Sequence, residues 1–245
     1  MKNVLITGGS GGIGTALCVA FAQAGYNVAI HYNNNLEQAE KLCKILLDCY
    51  NVNSVAVKAD IADQSSVKAM YDKIENSLGK VDVLVNNAGI AQQKLFTDIT
   101  SEDWRNMMGA NLDGVFYCTQ EALSRYMIKN HSGVIVNISS MWGQVGASCE
   151  VHYSASKAGV IGLTKALAKE VGPSKIRVNC ICPGVVMTNM MSDFDDETIN
   201  SLKEETPLNT LGTPKDIADC ALFLCSEKAK FITGQIIGVN GGFVI

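Results

Sequence analysis

Tyr153 and Lys157 stand four positions apart, and Ser140 precedes the tyrosine by thirteen. On a helix the first two share one face, so a phenol and an ammonium can lie close together. A phenol in water titrates near about 10, too high for ready proton exchange at neutral pH. A neighbouring ammonium favours the phenolate and draws that value toward the working range, which makes Tyr153 a candidate general acid. Ser140 carries a hydroxyl that can donate to an oxygen on which negative charge develops. The chemistry such a set could do is proton delivery to a carbonyl oxygen while hydride arrives at its carbon. Taken alone, a Tyr and a Lys at helical spacing are more often surface residues.

A hydride needs a carrier, and residues 7–14 (Thr-Gly-Gly-Ser-Gly-Gly-Ile-Gly) offer a place for one. Glycine lets the backbone turn tightly and approach a pyrophosphate, which sits against the free N–H groups of a helix start. The run reads as GxGxxG through Gly9, Gly11 and Gly14, or as TGxxxGxG through Gly8, Gly12 and Gly14. A flexible loop gives the same letters, but here a strand precedes them and a helix follows. An acidic residue about 20 positions on would grip the ribose 2′-hydroxyl of NAD. The chain has His31-Tyr32-Asn33-Asn34-Asn35 there, with no carboxylate to repel a 2′-phosphate. That favours NADP(H) over NAD(H), although no arginine waits to bind the phosphate and Gly11 supplies no side chain.

Elements must hold these residues. Apolar runs rich in Val and Ile predict strands at 4–7, 27–32, 55–58, 81–86, 134–139, 177–182 and 235–239. Between them, amphipathic or glycine-closed stretches predict helices at 14–25, 36–50, 63–79, 102–129, 153–171, 195–205 and 214–225. In the second helix Leu36, Ala39, Leu42, Cys43, Leu46 and Leu47 fall on one face. Strands of continuous apolar character, each followed by a helix, mean a parallel sheet covered on both faces. The fold class is α/β, a Rossmann-type doubly wound sheet of about seven strands, with its ligand crevice beyond the strands' carboxyl ends. With no linker or repeat, residues 1–245 read as a single dinucleotide-binding and catalytic domain.

The 245 residues are 47% hydrophobic and 18% charged, ordinary for a soluble globular chain with a large core. Twenty Lys and Arg against 24 Asp and Glu leave a formal charge of −4, and no basic run points to nucleic acid or an anionic membrane. No secretory leader or bilayer-spanning stretch is read, which suggests a cytoplasmic protein. Nine cysteines, an odd count with no CxxC pair, read as reduced thiols in apolar segments, and no metal is implied.

Further motifs fall in a fixed order. Asn86-Asn87-Ala88-Gly89 ends the fourth strand, and Asn111 lies in the long helix after it. Ser140 follows the fifth strand, Tyr153 and Lys157 come next, and Pro183-Gly184 ends the sixth strand with Thr188 just beyond. Across nearly the whole chain this order resembles the short-chain dehydrogenase/reductase family, most closely its 3-oxoacyl-acyl-carrier-protein reductase branch. The resemblance implies an oxidoreductase that reduces 3-oxoacyl-ACP or 3-oxoacyl-CoA in fatty-acid biosynthesis, assembled as a homotetramer. It implies a catalytic set of Asn111, Ser140, Tyr153 and Lys157, with Asn111 holding a water in a proton relay and Lys157 binding the nicotinamide ribose. It assigns Gly8, Ser10, Gly12, Ile13, Gly14, Asn33, Ile61, Pro183 and Gly184 to the cofactor, with Asp60 at the adenine. Asn87, Ala88 and Gly89 fall at the adenine ribose, and Val186 and Thr188 at the nicotinamide amide. Each has a duller reading: Asn111 bonding a nearby backbone, Thr188 capping a helix, Pro183-Gly184 a simple turn.

Three departures from that branch bear on the substrate. Positions where similar carrier-protein reductases carry docking arginines align with His131 and Ser174, flanked nearby by Lys129 and Lys175. Glu150 stands where the branch commonly has glutamine, and a pocket-facing carboxylate there would favour a cationic substrate; an exposed, inert loop carboxylate is the alternative. Trp142 puts a large aromatic beside the site, so Ser140, Trp142, Glu150 and Tyr153 are the expected substrate contacts. The stretch 146–153 is similar to reductases of 5-aminopentanone-modified elongation factor P, whose protonated amine Glu150 could pair with. Sugar, steroid and secondary-alcohol dehydrogenases share the tetrad, and a silent NADP-binding scaffold or sensor would share the fold. Cys149 reads as packing or pocket lining rather than a nucleophile, and the methionine-rich segment 187–194 as a mobile lid over the substrate, a packed surface segment being the alternative.

Overall fold

A computed structural model describes residues 1–188 and 195–245. Seven parallel strands form one sheet in the order β3-β2-β1-β4-β5-β6-β7. They are β1 (Asn3–Ile6), β2 (Asn27–Tyr32), β3 (Ser54–Lys58), β4 (Val83–Asn86), β5 (Gly133–Ile138), β6 (Ile176–Pro183) and β7 (Ile236–Val239). The order reverses between β1 and β4, whose register pairs Ile6 with Val85. At such a switch point the loops diverge to opposite faces and leave a crevice at the carboxyl ends.

Alternate residues of each strand point to opposite faces, and each face carries its own core. Val4, Ile6, Val28 and Ile30 pack with α1 (Gly12–Gln23), α2 (Leu36–Tyr50) and, further along the chain, α10 (Pro214–Cys225). Leu5, Ala29 and Leu84 pack on the other side, under α3 (Gln64–Leu78), α5 (Gly114–Ala122) and α8 (Val151–Val171). The apolar face expected of α2 is narrower than its spacing suggests. Ala39, Leu42 and Leu46 are buried, whereas Leu36 and Leu47 are exposed because they lie at the margins of the stripe.

Side chains set the helix starts. Asn35 accepts from Gln38 N–H at 3.1 Å, and Asp63 accepts from Ser65 N–H at 2.8 Å. Thr213 and Asp216 form a reciprocal capping box with Pro214 in the first turn. The long helix predicted over 102–129 is continuous through α4 (Ser101–Met108), α5 and α6 (Ile128–Asn130). Two π-helical turns, Gly109–Asp113 and Leu123–Met127, interrupt its α-helical geometry. The short α7 (Trp142–Val145) precedes α8, and α9 (Asp196–Glu205) precedes α10. Among the described residues no helix is long and apolar enough to cross a membrane.

Candidate active site

The glycine turn joins β1 to α1, and its shape is fixed by close approach. Gly8 has φ +64°, a left-handed conformation that suits glycine. A Cβ on Gly14 would stand 2.0 Å from the Gly8 carbonyl oxygen, so only glycine fits there. Gly12 lies under Thr188, whose side chain a Cβ would meet at 3.1 Å. Between them opens a cleft of about 460 Å³ lined by Ser10, Gly11, Gly12, Thr15, Asn35, Gln38, Met187, Thr188 and Pro214. None of these described residues is charged. A backbone cradle at a helix N-terminus, walled by neutral amides and hydroxyls, fits a dinucleotide phosphate. Asn33 is exposed just beyond β2, and Asn35 and Gln38 rather than Asn33 form the described wall. Ile13 is half-buried at the start of α1.

The Asn86-Asn87-Ala88-Gly89 run leaves β4 beside that turn. Thr7 Oγ1 accepts from the N–H groups of Asn87 and Ala88, at 2.9 and 3.0 Å. The Asn87 amide donates to Thr7 O at 2.9 Å and Gly8 O at 3.3 Å, tying the two loops together. Asp60 is exposed past β3 and accepts from Ala62 N–H, while Ile61 is buried against Gly114. Pro183 O accepts from Met141 N–H at 2.9 Å, and Gly184 packs on Asn240. Val186 bridges to Gly212, carrying the chain to Thr188.

Asn111 sits in the first π turn and is fully buried. Its Oδ1 accepts from Ile90 N–H at 2.8 Å, and its Nδ2 donates to Ile90 O at 2.9 Å and Ser156 Oγ at 3.1 Å. Bonding to a nearby backbone, one of the two readings of Asn111, is therefore real, and the partner is the residue after Gly89. A Cβ on Gly89 would come 2.9 Å from Asn111 Oδ1 and 3.3 Å from Lys157 Nζ, so all three border one spot.

Tyr153 and Lys157 lie in the first two turns of α8, with Lys157 Nζ 5.8 Å from the tyrosine ring centroid. The ammonium donates to Ile138 O at 3.0 Å, and Ser139 Oγ donates to Lys157 O at 2.8 Å. Burial pulls the Lys157 pKa down to about 8, and the Cys180 and Cys182 thiols act the other way. The expectation for Tyr153 needs correcting. Burial raises its pKa, Glu150 and Cys182 add to the rise, and only the Ser140 hydroxyl lowers it. Lys157 is engaged by Ile138 O, and without a bound ligand desolvation of the phenol outweighs every opposing influence.

Ser140 is nearly buried, and its Oγ accepts from Trp142 N–H at 3.2 Å. Trp142 turns edge-on to Phe243, with ring centroids 5.7 Å apart, so the C-terminal segment backs the tryptophan. Glu150 directly precedes α8, and its Oε1 accepts from the Gln93 amide at 3.3 Å. Two further bonds stitch that side of the site. Lys94 N–H donates to Cys149 O at 2.7 Å, and a His152 ring nitrogen pairs with Gln92 Oε1 at 2.9 Å. Residues 189–194, most of the expected methionine lid, lie outside the described residues.

Sequence reasoning missed Thr7, His31, Ser139, His152 and Ser156, all buried polar residues beside the site. The one available signal was a polar letter inside an apolar run, as with His31 in Asn27–Tyr32. His131 and Ser174 precede β5 and β6, at the amino edge of the sheet. With Lys175, Arg177, Lys230 and Phe231, His131 borders a separate cleft of about 710 Å³. Across the six residues of β5 this is roughly 20 Å from Ser140.

A family model described as enoyl-(acyl carrier protein) reductase matches residues 8–244. The chain is 42% identical to the 3-oxoacyl-acyl-carrier-protein reductase FabG of Staphylococcus aureus over 98% of this chain and 97% of that one. It is 41% identical to YmfI, an uncharacterized oxidoreductase of Bacillus subtilis, over 99% and 98% of the two chains. Among solved structures, a 3-oxoacyl-acyl-carrier-protein reductase from Brucella melitensis superposes with a TM-score of 0.93 at 35% identity. That match covers 100% of this chain and 92% of the other.

Proposed function

The chain belongs to the short-chain dehydrogenase/reductase family, and on that premise we propose that it reduces a ketone with NADPH, the substrate being a 3-oxoacyl thioester on acyl carrier protein or coenzyme A. The observation that carries this is a chain of neighbours: Asn111 and Lys157 meet at Gly89, Tyr153 lies beside Lys157, and the Ser140 hydroxyl acts on Tyr153. The relatives named as 3-oxoacyl reductases support the substrate class. The uncharged wall beyond β2 supports NADPH, since it offers a 2′-phosphate no carboxylate.

The bound nicotinamide supplies hydride to the carbonyl carbon. Ser140 donates a hydrogen bond to the carbonyl oxygen as its charge grows. Tyr153 passes its phenolic proton to that oxygen, and the Lys157 ammonium stabilises the phenolate left behind. Asn111 fixes Ile90 and, by family resemblance, holds the water that returns the proton. The raised pKa of Tyr153 keeps the phenol protonated at neutral pH and makes it a weaker acid, so the transfer relies on the charge growing on the carbonyl oxygen and on the Lys157 ammonium. Nine free thiols fit a reducing, cytoplasmic setting, and the assembly proposed by resemblance is a homotetramer.

Glu150 favours a second reading. It is close enough to act electrostatically on Tyr153, and among the described residues no cation pairs with it. A ketone bearing a protonated amine, such as 5-aminopentanone on elongation factor P, would neutralise it. The test follows nicotinamide absorbance with NADPH and then NADH, against acetoacetyl-CoA, a 3-oxoacyl carrier-protein thioester and the aminoketone on elongation factor P. Fast turnover of a thioester is expected, with Glu150→Gln changing little. Turnover confined to the aminoketone and lost in Glu150→Gln would replace the first reading with the second. Nucleotide binding with no turnover would leave a silent scaffold.

A further inference from the structure

We propose that His31 is a positioning residue for the nucleotide-binding turn, holding the Gly8 amide through a neutral ring and releasing it on protonation, so that NADPH binding weakens in acid. The inference rests on the reading of that turn as a nucleotide site.

His31 is 2% exposed in β2, and both ring nitrogens are engaged. Nδ1 accepts from Gly8 N–H at 2.9 Å, and Nε2 meets Ala59 O at 3.1 Å. A backbone amide only donates and a carbonyl only accepts. The neutral ring with its hydrogen on Nε2 is therefore the one form that satisfies both. A second proton would set an N–H on Nδ1 against the N–H of Gly8. The turn would have to move, although Gly9 N–H donates to His31 O at 2.8 Å. Movement of Gly8 cannot stay local. Its carbonyl accepts from Gly11 N–H and Asn87 Nδ2, and it packs where a Cβ on Gly14 would lie.

The surroundings favour the neutral ring. Burial lowers the His31 pKa below its ordinary value, while its bond to Ala59 and the charge of Asp60 oppose this more weakly. From α3, packed on the same face, Tyr71 is the buried titratable group, and Lys68, Asp72, Lys73 and Glu75 are exposed. Lys58 at the end of β3 and Asp113 in the π turn are exposed as well, and β1 and β4 carry no charge. A folded-state pKa below the unfolded one means that the His31 contribution is present at neutral pH. It is lost as the pH falls through the folded value.

Fluorescence titration of NADPH between about pH 5 and 8 tests this on the intact protein, on His31→Asn and on His31→Gln. Asn places an acceptor where Nδ1 stood and does not titrate, whereas Gln reaches Ala59 and leaves Gly8 without an acceptor. In the unaltered protein the Kd is expected to rise in acid, by up to about tenfold per pH unit below the ring's pKa. His31→Asn should lose less affinity than the unaltered protein between about pH 8 and pH 5, each measured against its own Kd at pH 8. His31→Gln should bind about tenfold or more weakly throughout. Titration of the nucleotide's own phosphate is common to all three proteins, so the difference between them is the readout. Imidazole ¹⁵N shifts of the unaltered protein, which has only three histidines, report the tautomer without any variant. A protonated Nδ1 at pH 8, an acid loss in His31→Asn equal to the parent's, or His31→Gln binding as the parent does would each overturn the role of His31. Failure of the parent to bind NADPH or NADH at pH 8 would overturn the nucleotide reading itself.

Discussion

At the residue scale, the same burial acts in opposite senses on the two groups of the pair. It keeps the Tyr153 phenol protonated and makes the Lys157 ammonium easier to deprotonate. A ketone reduction needs the phenol's proton and the cation that stabilises what remains. With Lys157 titrating at about 8 in the free protein, kcat/KM for the ketone at saturating NADPH should be level just below that pH and fall above it. A pH–rate profile with no break between about pH 7 and 9 would count against this role. Tyr153→Phe removes the proton donor but little volume. Turnover should drop by about 10²–10⁴-fold while NADPH still binds, as single-turnover assays and fluorescence titration would show. Retained turnover would mean that another group delivers the proton.

At the element scale, the site depends on close backbone approaches that tolerate no added atom. Gly14, in the first turn of α1, lies against the carbonyl of Gly8, and the obstructing atom is backbone rather than a movable side chain. Gly14→Ala is expected to cost about 1–3 kcal/mol through overpacking, and to weaken nucleotide binding by moving Gly8. At roughly 2–4 °C per kcal/mol for a chain of this size, thermal melting resolves that loss. An unchanged melting temperature and Kd would show that the turn relaxes freely. The π turn at Asn111 belongs to the same scale. An α-helical register through Gly109–Asp113 would rotate the amide away from Ile90, so the extra residue in the turn is what lets Asn111 reach it.

At the scale of the whole molecule, the described surface keeps large apolar groups in water. Phe116 on α5 and Phe223 on α10 are nearly half exposed, and Phe231 and Ile245 are fully so. Such exposure fits burial against further copies of the chain. Sedimentation is expected to give four chains, with Phe116→Glu or Phe223→Asp producing a smaller species. A monomer at every concentration would refute the tetramer. Assembly also bears on the carrier, because His131 and Ser174 lie at the edge of the sheet opposite Ser140. A carrier docked there would have to deliver its substrate to a site it does not adjoin in the same chain.

The class of sheet, the glycine turn between the first strand and helix, and the order of the chemical residues were legible in the sequence alone. Those features are local: a strand's apolar run, a glycine at a positive φ, and a Tyr and a Lys four apart on a helix. Strand edges shifted by a residue or two, as at β4, which begins at Val83 rather than Val81. The folded chain alone shows that Leu36 and Leu47 face solvent, that Asn111 clasps Ile90, and that His31 grips Gly8 across 23 positions. It also reversed the expected pKa shift of Tyr153. Burial and long-range hydrogen bonds arise when distant segments remove one another from water, and no window of sequence contains both partners.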